Sequence, residues 1–416
     1  MQEELSNATG RRTTINSEVP FGIDEIFYSH TDSRGVIRFG NRVFQRVCGH
    51  DWDELIGAPH RIVRHPDMPR AVFWLMWEKL KAGQPIGAYV KNQSKDGRFY
   101  WVFATISPMS DGFLSVRIKP TAPVFDTIRA EYEALRAREL KEKISPEESA
   151  GLLVERLAKL GFPDYETFMT RALTDELKAR DTAHRVSGAA SRAMGQICAA
   201  LEEGLRERSA LVTTFGALHS IPTNMRIVAS RLEPAGGPIS AISDNYKIAS
   251  AEIVNRLDAY ARGDDSLCER MSRVVNEGLF QMGCAQVQAE ALSQFRAEKR
   301  VEDAGADSAA EMQALEETAH NGRDAARRGL FEAVESAANL RKVSADLQRL
   351  MLGLDSIRVM GRVESGRLRN PVSGLSATID QLDKYHGDIR THLDVLISVC
   401  ERIERDGQST MTALAA

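Results

Sequence analysis

The chain has 416 residues, which is too many for one compact core and predicts two or three structural units. Its net charge is -4, with 27% charged residues of both signs mixed along the chain, so we expect no face for nucleic acid or for an anionic membrane. The five cysteines stand singly, without the spacing of a zinc site or a disulfide framework, and indicate a reducing cytoplasm.

The sequence shows no membrane or catalytic motif. The N-terminal residues contain no apolar signal core, and the stretch from Val72 to Trp77 is far shorter than the roughly 20 residues that span a bilayer. A phosphate loop, a catalytic triad, an HExxH motif and a histidine-kinase or cyclase block are all missing from the pattern. We therefore expect a cytoplasmic, non-enzymatic protein without a membrane span.

Composition divides the chain into two parts. All four tryptophans lie in the first quarter, whereas no proline occurs between Pro238 and Pro371. A long proline-free stretch rich in Ala, Glu, Arg and Leu is typical of long helices. The predicted organisation is a disordered N-terminus, a mixed domain, a helical connector, a helical bundle and a tail, at residues 1–19, 20–122, 123–173, 174–408 and 409–416.

The mixed domain reads as two strands, several short helices and three more strands. A polar turn at 32–35 joins the first two strands as a hairpin. Two short helices are predicted at 41–49 and 51–57. A Pro/His loop and then a longer helix at about 69–82 follow them. The last three strands, separated by turns that contain Asp-Gly, are predicted at 87–93, 98–108 and 112–119.

This order of elements, with GNRVFQRVCGHDWDELIG and then YVKNQSKDGRFYWVFATISPM, resembles PAS domains over about residues 20–120. The segment HRIVRHPDMP at 60–69 is similar to the PAS domains of aerotaxis receptors, which bind FAD. The resemblance implies an α+β fold with a five-stranded antiparallel sheet and a flavin slot between the sheet and a helix. On this resemblance the flavin contacts are Arg64, His65, Asp67, Trp77 and Asn92, with Asn41 and Arg61 as further candidates.

Other interpretations of these residues stay open. Trp77 alone would be ordinary core, and Asn92 a strand-edge amide. His60 and His65 allow a haem alternative, since haem iron is often held by a histidine. A third alternative is a cofactor-free PAS domain that only dimerises or tethers partners. The favoured function is a soluble redox or oxygen sensor of the aerotaxis type, in which the state of a flavin is relayed to the helices.

The connector is predicted to hold three helices. The first covers about 124–143 and carries apolar residues three or four positions apart. Ser145, Pro146 and Glu148 form a capping box that starts the second helix, and the third begins near 163. The long helices of the bundle follow at about 174–233, 238–303, 308–369 and 371–405. Ser308 with Glu311 forms another capping-box pattern, which marks a turn near residue 305.

The bundle contains an internal repeat. RIVASRL at 226–232 matches RVESGRL at 362–368, an offset of 136 (362 − 226), and PISAIS at 238–243 matches PVSGLS at 371–376, an offset of 133 (371 − 238). The second copy is therefore predicted to be three residues shorter at its turn. Each copy reads as an αα-hairpin, with tips near 233–238 and 368–371.

Each hairpin also resembles the tip of methyl-accepting chemoreceptors. That resemblance implies a chemotaxis histidine kinase and its coupling protein as partners. The tip residues that match the pattern are Asn224, Arg231, Arg362, Glu364 and Arg367. We hypothesise that the two hairpins fold on each other as a single-chain counterpart of a receptor dimer; an oligomer formed through the PAS domain or the bundle is the alternative.

Overall fold

The computed structural model describes residues 14–184, 188–218, 221–230, 237–263, 265–299, 306–367 and 373–415. The chain divides into two compact units. Unit 1 comprises Met1–Gly195 and Asn276–Gly329, and unit 2 comprises Gln196–Val275 and Leu330–Ala416. The unit boundaries differ from the boundary predicted at residue 174, because part of the predicted bundle belongs to the same compact unit as the mixed domain.

Unit 1 contains an antiparallel sheet in the order β2-β1-β5-β4-β3. Its strands are β1 (Phe27–Asp32), β2 (Ile37–Gly40), β3 (Ile86–Gln93), β4 (Phe99–Pro108) and β5 (Gly112–Ile118). The last strand pairs with the first from Phe27 opposite Arg117 to Asp32 opposite Gly112. Gly112 is required there, since an added Cβ would overlap the carbonyl oxygen of Thr31. The predicted five-stranded α+β fold is confirmed.

The next helices of unit 1 either connect the strands of the sheet or follow its last strand. They are α1 (Arg42–Cys48), α2 (Trp52–Leu55), a 3-10 turn (His60–Val63), α3 (Arg70–Lys81), α4 (Val124–Glu142), α5 (Pro146–Lys159) and α6 (Tyr165–His184). The capping box predicted at the start of α5 is present, because Ser145 accepts the amide of Glu148 and Glu148 accepts that of Ser145.

The two faces of the sheet have different neighbours, because successive side chains on a strand point to opposite sides. On one face, Tyr89 packs against Phe125 of α4 and Phe168 of α6, with ring centroids 5.2 and 6.3 Å apart. The same face meets a further helix, on which Phe280 lies against Gly87 and leaves no room for a larger side chain there. The other face is turned toward α3.

The N-terminal segment differs from the prediction. Residues 14–19 were expected to belong to a disordered terminus, but they run beside β4. The amide of Ile15 donates to the carbonyl of Gly97 at 2.8 Å, and the amide of Val19 to that of Phe99 at 2.7 Å. Val19 is buried, and burial of its apolar side chain gives this segment a reason to pack, whereas Ile15 is 41% exposed.

The long helices are α7 (Ala189–Leu218), α8 (Ile221–Ser230), α9 (Gly237–Ala261), α10 (Leu267–Lys299), α11 (Ala306–Arg367) and α12 (Ser373–Ala415). The second predicted helix, 238–303, is interrupted after Ala261, where Gly263 takes a φ of 80°. The predicted tail at 409–416 is helical through Ala415, and Thr410 is buried there. Both predicted hairpin turns, at 233–238 and 368–371, fall largely outside the described residues.

Unit 2 repeats itself with an offset of 136 along both arms of its hairpins, so the predicted shortening of the second copy by three residues is wrong. Equivalent positions with the same offset are buried in both copies: Leu201 and Ala337, Leu211 and Leu347, Phe215 and Met351, Ile239 and Leu375, Tyr246 and Leu382, Ile253 and Ile389, Leu257 and Leu393. With an offset of 136, Pro238 corresponds to position 374, three residues after Pro371, so aligning the two prolines does not give the offset of the core.

Residues near the two hairpin turns of unit 2 pack together. Val228, Ala229 and Ile239 of the first copy form one buried cluster with Leu375 and Ile379 of the second. Equivalent ion pairs join the arms of each copy. They are Arg226 with Asp244 at 3.5 Å, and Arg362 with Asp380 at 2.7 Å. The two hairpins therefore meet within a single chain and close a common apolar core.

A close helix contact in unit 1 gives the first prediction. A Cβ added at Gly329 of α11 would lie 2.7 Å from the Cα of Gly278 on α10, whereas one added at Gly353 meets open space. We expect Gly329→Ala to lower the free energy of unfolding by about 1–3 kcal/mol, the usual result of overpacking. Gly353→Ala should raise it by up to about 1 kcal/mol, because alanine favours a helix. Urea denaturation compares the two; equal effects would contradict the close contact.

Candidate functional site

A cavity of about 430 Å³ lies between the sheet and α3. Its size falls within the roughly 300–1,000 Å³ of small-molecule sites. Its apolar walls come from Pro59, Phe73, Met76, Trp77, Leu80, Val90, Ala104, Ile106 and Phe113. Its polar lining comes from Thr31, Arg34, His60, Arg61, Arg64, Asn92, Ser115 and Arg117, with Gly35 at the wall. The described lining thus holds four arginines and no carboxylate, which makes the cavity electropositive.

Four of the predicted flavin contacts line this cavity: Arg61, Arg64, Trp77 and Asn92. The guanidinium of Arg64 lies over the ring of Phe73, 3.4 Å from its centroid. Trp77 meets the ring of Phe113 edge-on at a centroid distance of 5.8 Å. Asn92 is 3% exposed, and its side-chain amide makes no hydrogen bond with the described part of the chain. It is therefore available to a ligand as both donor and acceptor.

The other three predicted contacts are absent from the cavity lining. Asn41 caps α1, since its Oδ1 accepts the amides of Phe44 and Tyr28, and its Nδ2 donates to the carbonyl of Ile26. His65 is buried, and its Nδ1 accepts the amide of Asp67 at 3.1 Å. Asp67 is 60% exposed and pairs with Lys91 at 2.8 Å. Asn41 and His65 thus hold the protein's own backbone in place, and Asp67 forms a solvent-exposed ion pair.

Arg117 is the main cavity residue that the sequence interpretation missed. Its guanidinium is 3% exposed and donates to Ser29 Oγ at 2.9 Å and to His60 Nε2 at 2.6 Å. Burial lowers the pKa of Arg117 to about 10, so it stays charged at neutral pH. A signal was present on β5, where Ser115 and Arg117 alternate with Leu114 and Val116 and give the strand one polar face.

The same arrangement fixes the state of His60. A guanidinium has only donors, so Nε2 of His60 must be the unprotonated acceptor. Burial, and then the charge of Arg117, lower the pKa of His60 to about 3. A haem iron would have to displace Arg117 from this nitrogen, and His65 does not line the cavity. This donor set does not suit axial haem ligation, and we derive no chemistry through haem.

The comparisons with known proteins concern this part of the chain. Residues 37–115 match the family model of the PAS fold. This part of the chain is a PAS domain. The Aerotaxis receptor of Escherichia coli (strain K12) is 38% identical over 130 residues, which cover 30% of this chain and 26% of the receptor. The chain spans about a quarter of that relative.

Other relatives match shorter stretches of the chain. The Biofilm dispersion protein BdlA of Pseudomonas aeruginosa is 30% identical over 82 residues, covering 20% of each chain. The Nitrogen fixation regulatory protein of Klebsiella pneumoniae is 32% identical over 81 residues, covering 20% of this chain and 16% of that protein. A solved LOV domain of the blue-light photoreceptor Aureochrome1 is 19% identical, covers 26% of this chain and 90% of its own, and has a TM-score of 0.23. The family match and the sequence relatives support a PAS sensor domain in this chain.

The predicted tip residues lie in unit 2. Asn224 is exposed on α8, and Arg362 of α11 pairs with Asp380 and Asp383 of α12. Glu364 pairs with Arg367 one turn later at 3.2 Å. Arg231 lies outside the described residues. Their role in binding a partner stays a prediction. Among the described residues, no helix combines the length and apolar character needed to cross a membrane.

The pair of His60 and Arg117 gives the second prediction. We expect the ring resonances of His60 to stay constant between about pH 5 and pH 8, because its pKa lies far below its ordinary value of about 6.5. In Arg117→Met the repelling charge is removed and the pKa should rise. Histidine-selective NMR titration of both proteins measures this. A wild-type titration of His60 with a midpoint near its ordinary pKa would contradict the arrangement.

Proposed function

We propose that the PAS domain binds a flavin, FAD by its resemblance to aerotaxis receptors, and that the chain is a redox or oxygen sensor. The observation that carries the proposal is the cavity with four arginines, no carboxylate in its described lining and a free buried amide at Asn92. An isoalloxazine ring needs flat apolar walls with a few donors and acceptors, and the phosphates of FAD need cations. Both requirements are met by residues of this cavity.

Each part of the cavity has a proposed task. Trp77 and Phe113 would flank the ring, while the Asn92 amide would pair with its polar edge. Arg61 and Arg64 are the candidates for phosphate contacts. The buried charge of Arg117 would favour a ligand that gains electrons and becomes more negative. When bound, the flavin itself supplies the electron transfer.

A short path leads from the cavity to α11. Thr31 lines the cavity, and its neighbour His30 contacts two carboxylates: Nδ1 lies 3.0 Å from Glu311 of α11, and Nε2 lies 3.2 Å from Asp111. Burial opposes protonation of His30, but the hydrogen bond and charge of Glu311, with those of Asp111, outweigh it and raise its pKa. The turn predicted near residue 305 lies outside the described residues, and Glu311 itself contacts the sheet through His30. We propose that a change at Thr31 alters this contact and so biases α11.

Unit 2 is the proposed output. Its repeated hairpins pack around one core, which supports the hypothesis of a single-chain counterpart of a receptor dimer. The tip resemblance supports a chemotaxis histidine kinase and its coupling protein as the partners. No catalytic role is proposed, since the relatives with the highest identity given above are named as a receptor and a regulatory protein.

The cofactor gives the third prediction. We expect the purified full-length protein to show a two-banded flavin spectrum that bleaches with dithionite. Asn92→Leu should weaken FAD binding by at least about tenfold, because a hydrogen-bonded amide is replaced by an apolar group. Asp67→Asn is the matched control and should leave binding unchanged, since Asp67 is exposed and does not line the cavity. The absorbance spectrum tests the first expectation. Reconstitution of each variant with FAD, followed by flavin fluorescence, measures its FAD binding.

The same measurement separates the alternatives. A Soret band would overturn the flavin proposal in favour of haem. Protein that stays colourless after reconstitution with FAD would favour a cofactor-free interaction domain. An Asp67→Asn defect as large as that of Asn92→Leu would show that the flavin lies elsewhere than in this cavity.

The His30 contact gives the fourth prediction. Because its folded pKa is raised, the stabilisation from protonated His30 is complete below its unfolded pKa and is lost as pH rises through the folded pKa. We expect the free energy of unfolding of the wild type to be about 1.5–3 kcal/mol higher than that of His30→Gln near pH 6, which is the usual contribution of charged hydrogen bonds. Near pH 9 the difference should be smaller. Urea denaturation at both pH values measures this. The exposed-histidine control His320→Gln should show no such change, and a pH-independent difference for His30→Gln would refute the contact.

A further inference from the structure

A second cavity of unit 1 contains a buried polar atom without a partner. The cavity has a volume of about 440 Å³ and lies between the end of β4 and helices α10 and α11. Gln288 of α10 lines it and is only 4% exposed. Its Nε2 donates to Ser107 Oγ at 2.9 Å, but its Oε1 accepts no hydrogen bond. A buried acceptor left unpaired is costly, so this oxygen indicates a donor that the cavity receives from outside the chain.

Gly322 of α11 shapes the space beside this oxygen. A Cβ added at Gly322 would overlap Gln288 Oε1, whereas the wild-type glycine leaves the approach open. The nearby lining is polar without being strongly charged, since it includes the amides of Gln281 and Asn321. Amides both donate and accept, which suits a small polar ligand better than an apolar one.

The cavity also offers one charge of each sign. Arg328 lines it and makes no hydrogen bond or ion pair within the described part of the chain. Glu317 lines it too, and accepts a hydrogen bond from Gln313 at 3.0 Å. A phosphate ester would meet a single cation and the repulsion of Glu317. A zwitterion would satisfy both charges at once, with its carboxylate on Arg328 and its ammonium near Glu317 and Gln288.

We propose that this cavity is a binding site for a free α-amino acid. The carboxylate of the ligand pairs with Arg328, and its ammonium group donates to Gln288 Oε1. The site is separate from the flavin cavity but touches the same strand, because Ile106 lines the flavin cavity and Ser107, next to it, lines this one. The proposal does not rest on flavin binding, and an amino acid could bind whether or not the PAS domain holds a cofactor.

The test is a direct binding measurement on the full-length chain. Each of the proteinogenic L-amino acids is screened by thermal shift, and those that stabilise the protein are titrated by calorimetry. We expect at least one to bind. Arg328→Gln should weaken its binding by about tenfold or more, because a charge-assisted pair is lost at an exposed residue whose substitution leaves the core intact.

Two helix glycines of α11 provide a matched pair of variants. Gly322→Ala should weaken binding, since the new Cβ displaces Gln288 Oε1, while Gly353→Ala should bind as the wild type does because its Cβ meets open space. Thermal denaturation verifies that both variants fold. Absence of binding by every amino acid would overturn the proposal, with the cavity then holding water. Binding that survives both Arg328→Gln and Gly322→Ala would place the amino acid at another site and would equally overturn it.

Discussion

A single buried carboxylate, Glu176 of α6, joins the parts of unit 1 that the sensor depends on. It is fully buried, and its Oε1 accepts the hydroxyl of Tyr89 on β3 at 2.8 Å. Its Oε2 accepts the amides of Thr121 and Ala122, at the point where the chain leaves the sheet, at 2.7 and 3.1 Å. Burial raises the pKa of Glu176, while these hydrogen bonds oppose the rise. The sheet, its exit and α6 therefore share one polar contact inside an otherwise apolar interface, where an unpaired partner would be costly.

The alternation of side chains along the strands explains how one sheet serves two purposes. One face carries the arginine-lined cavity, and the opposite face packs against α4, α6 and α10. Neighbouring residues of β1 point to opposite faces of the sheet: Thr31 lines the cavity, while His30 contacts Glu311. The proposed relay from the cavity to α11 therefore spans only two adjacent residues of β1. No long pathway is required.

Unit 2 shows a repeated core that is not fully symmetric. The hydroxyl of Tyr246 lies 2.7 Å from His386 Nε2, and His386 Nδ1 lies 2.7 Å from Asp355. The equivalent of Tyr246 in the second copy, Leu382, is apolar and buried. A buried polar chain on one side of a repeated bundle disfavours arrangements that would leave these groups unpaired, and so helps to select a single register of the helices.

The sequence by itself determined the local features: the strand and helix order of the PAS domain, the Ser145 cap and the existence of a repeat in the helices. Each of these depends on residues close together in the chain, whose spacing reports turns, caps and periodicity. Only the tertiary structure decided that Asn41 caps α1, that His65 and Asp67 lie away from the cavity lining while Arg117 enters it, and that Glu311 meets His30. Those outcomes depend on contacts between residues distant in sequence, as for Ser29 and Arg117, and on which face of a strand is buried. The repeat offset was settled the same way, since the buried positions of α9 and α12 follow core packing rather than the two prolines.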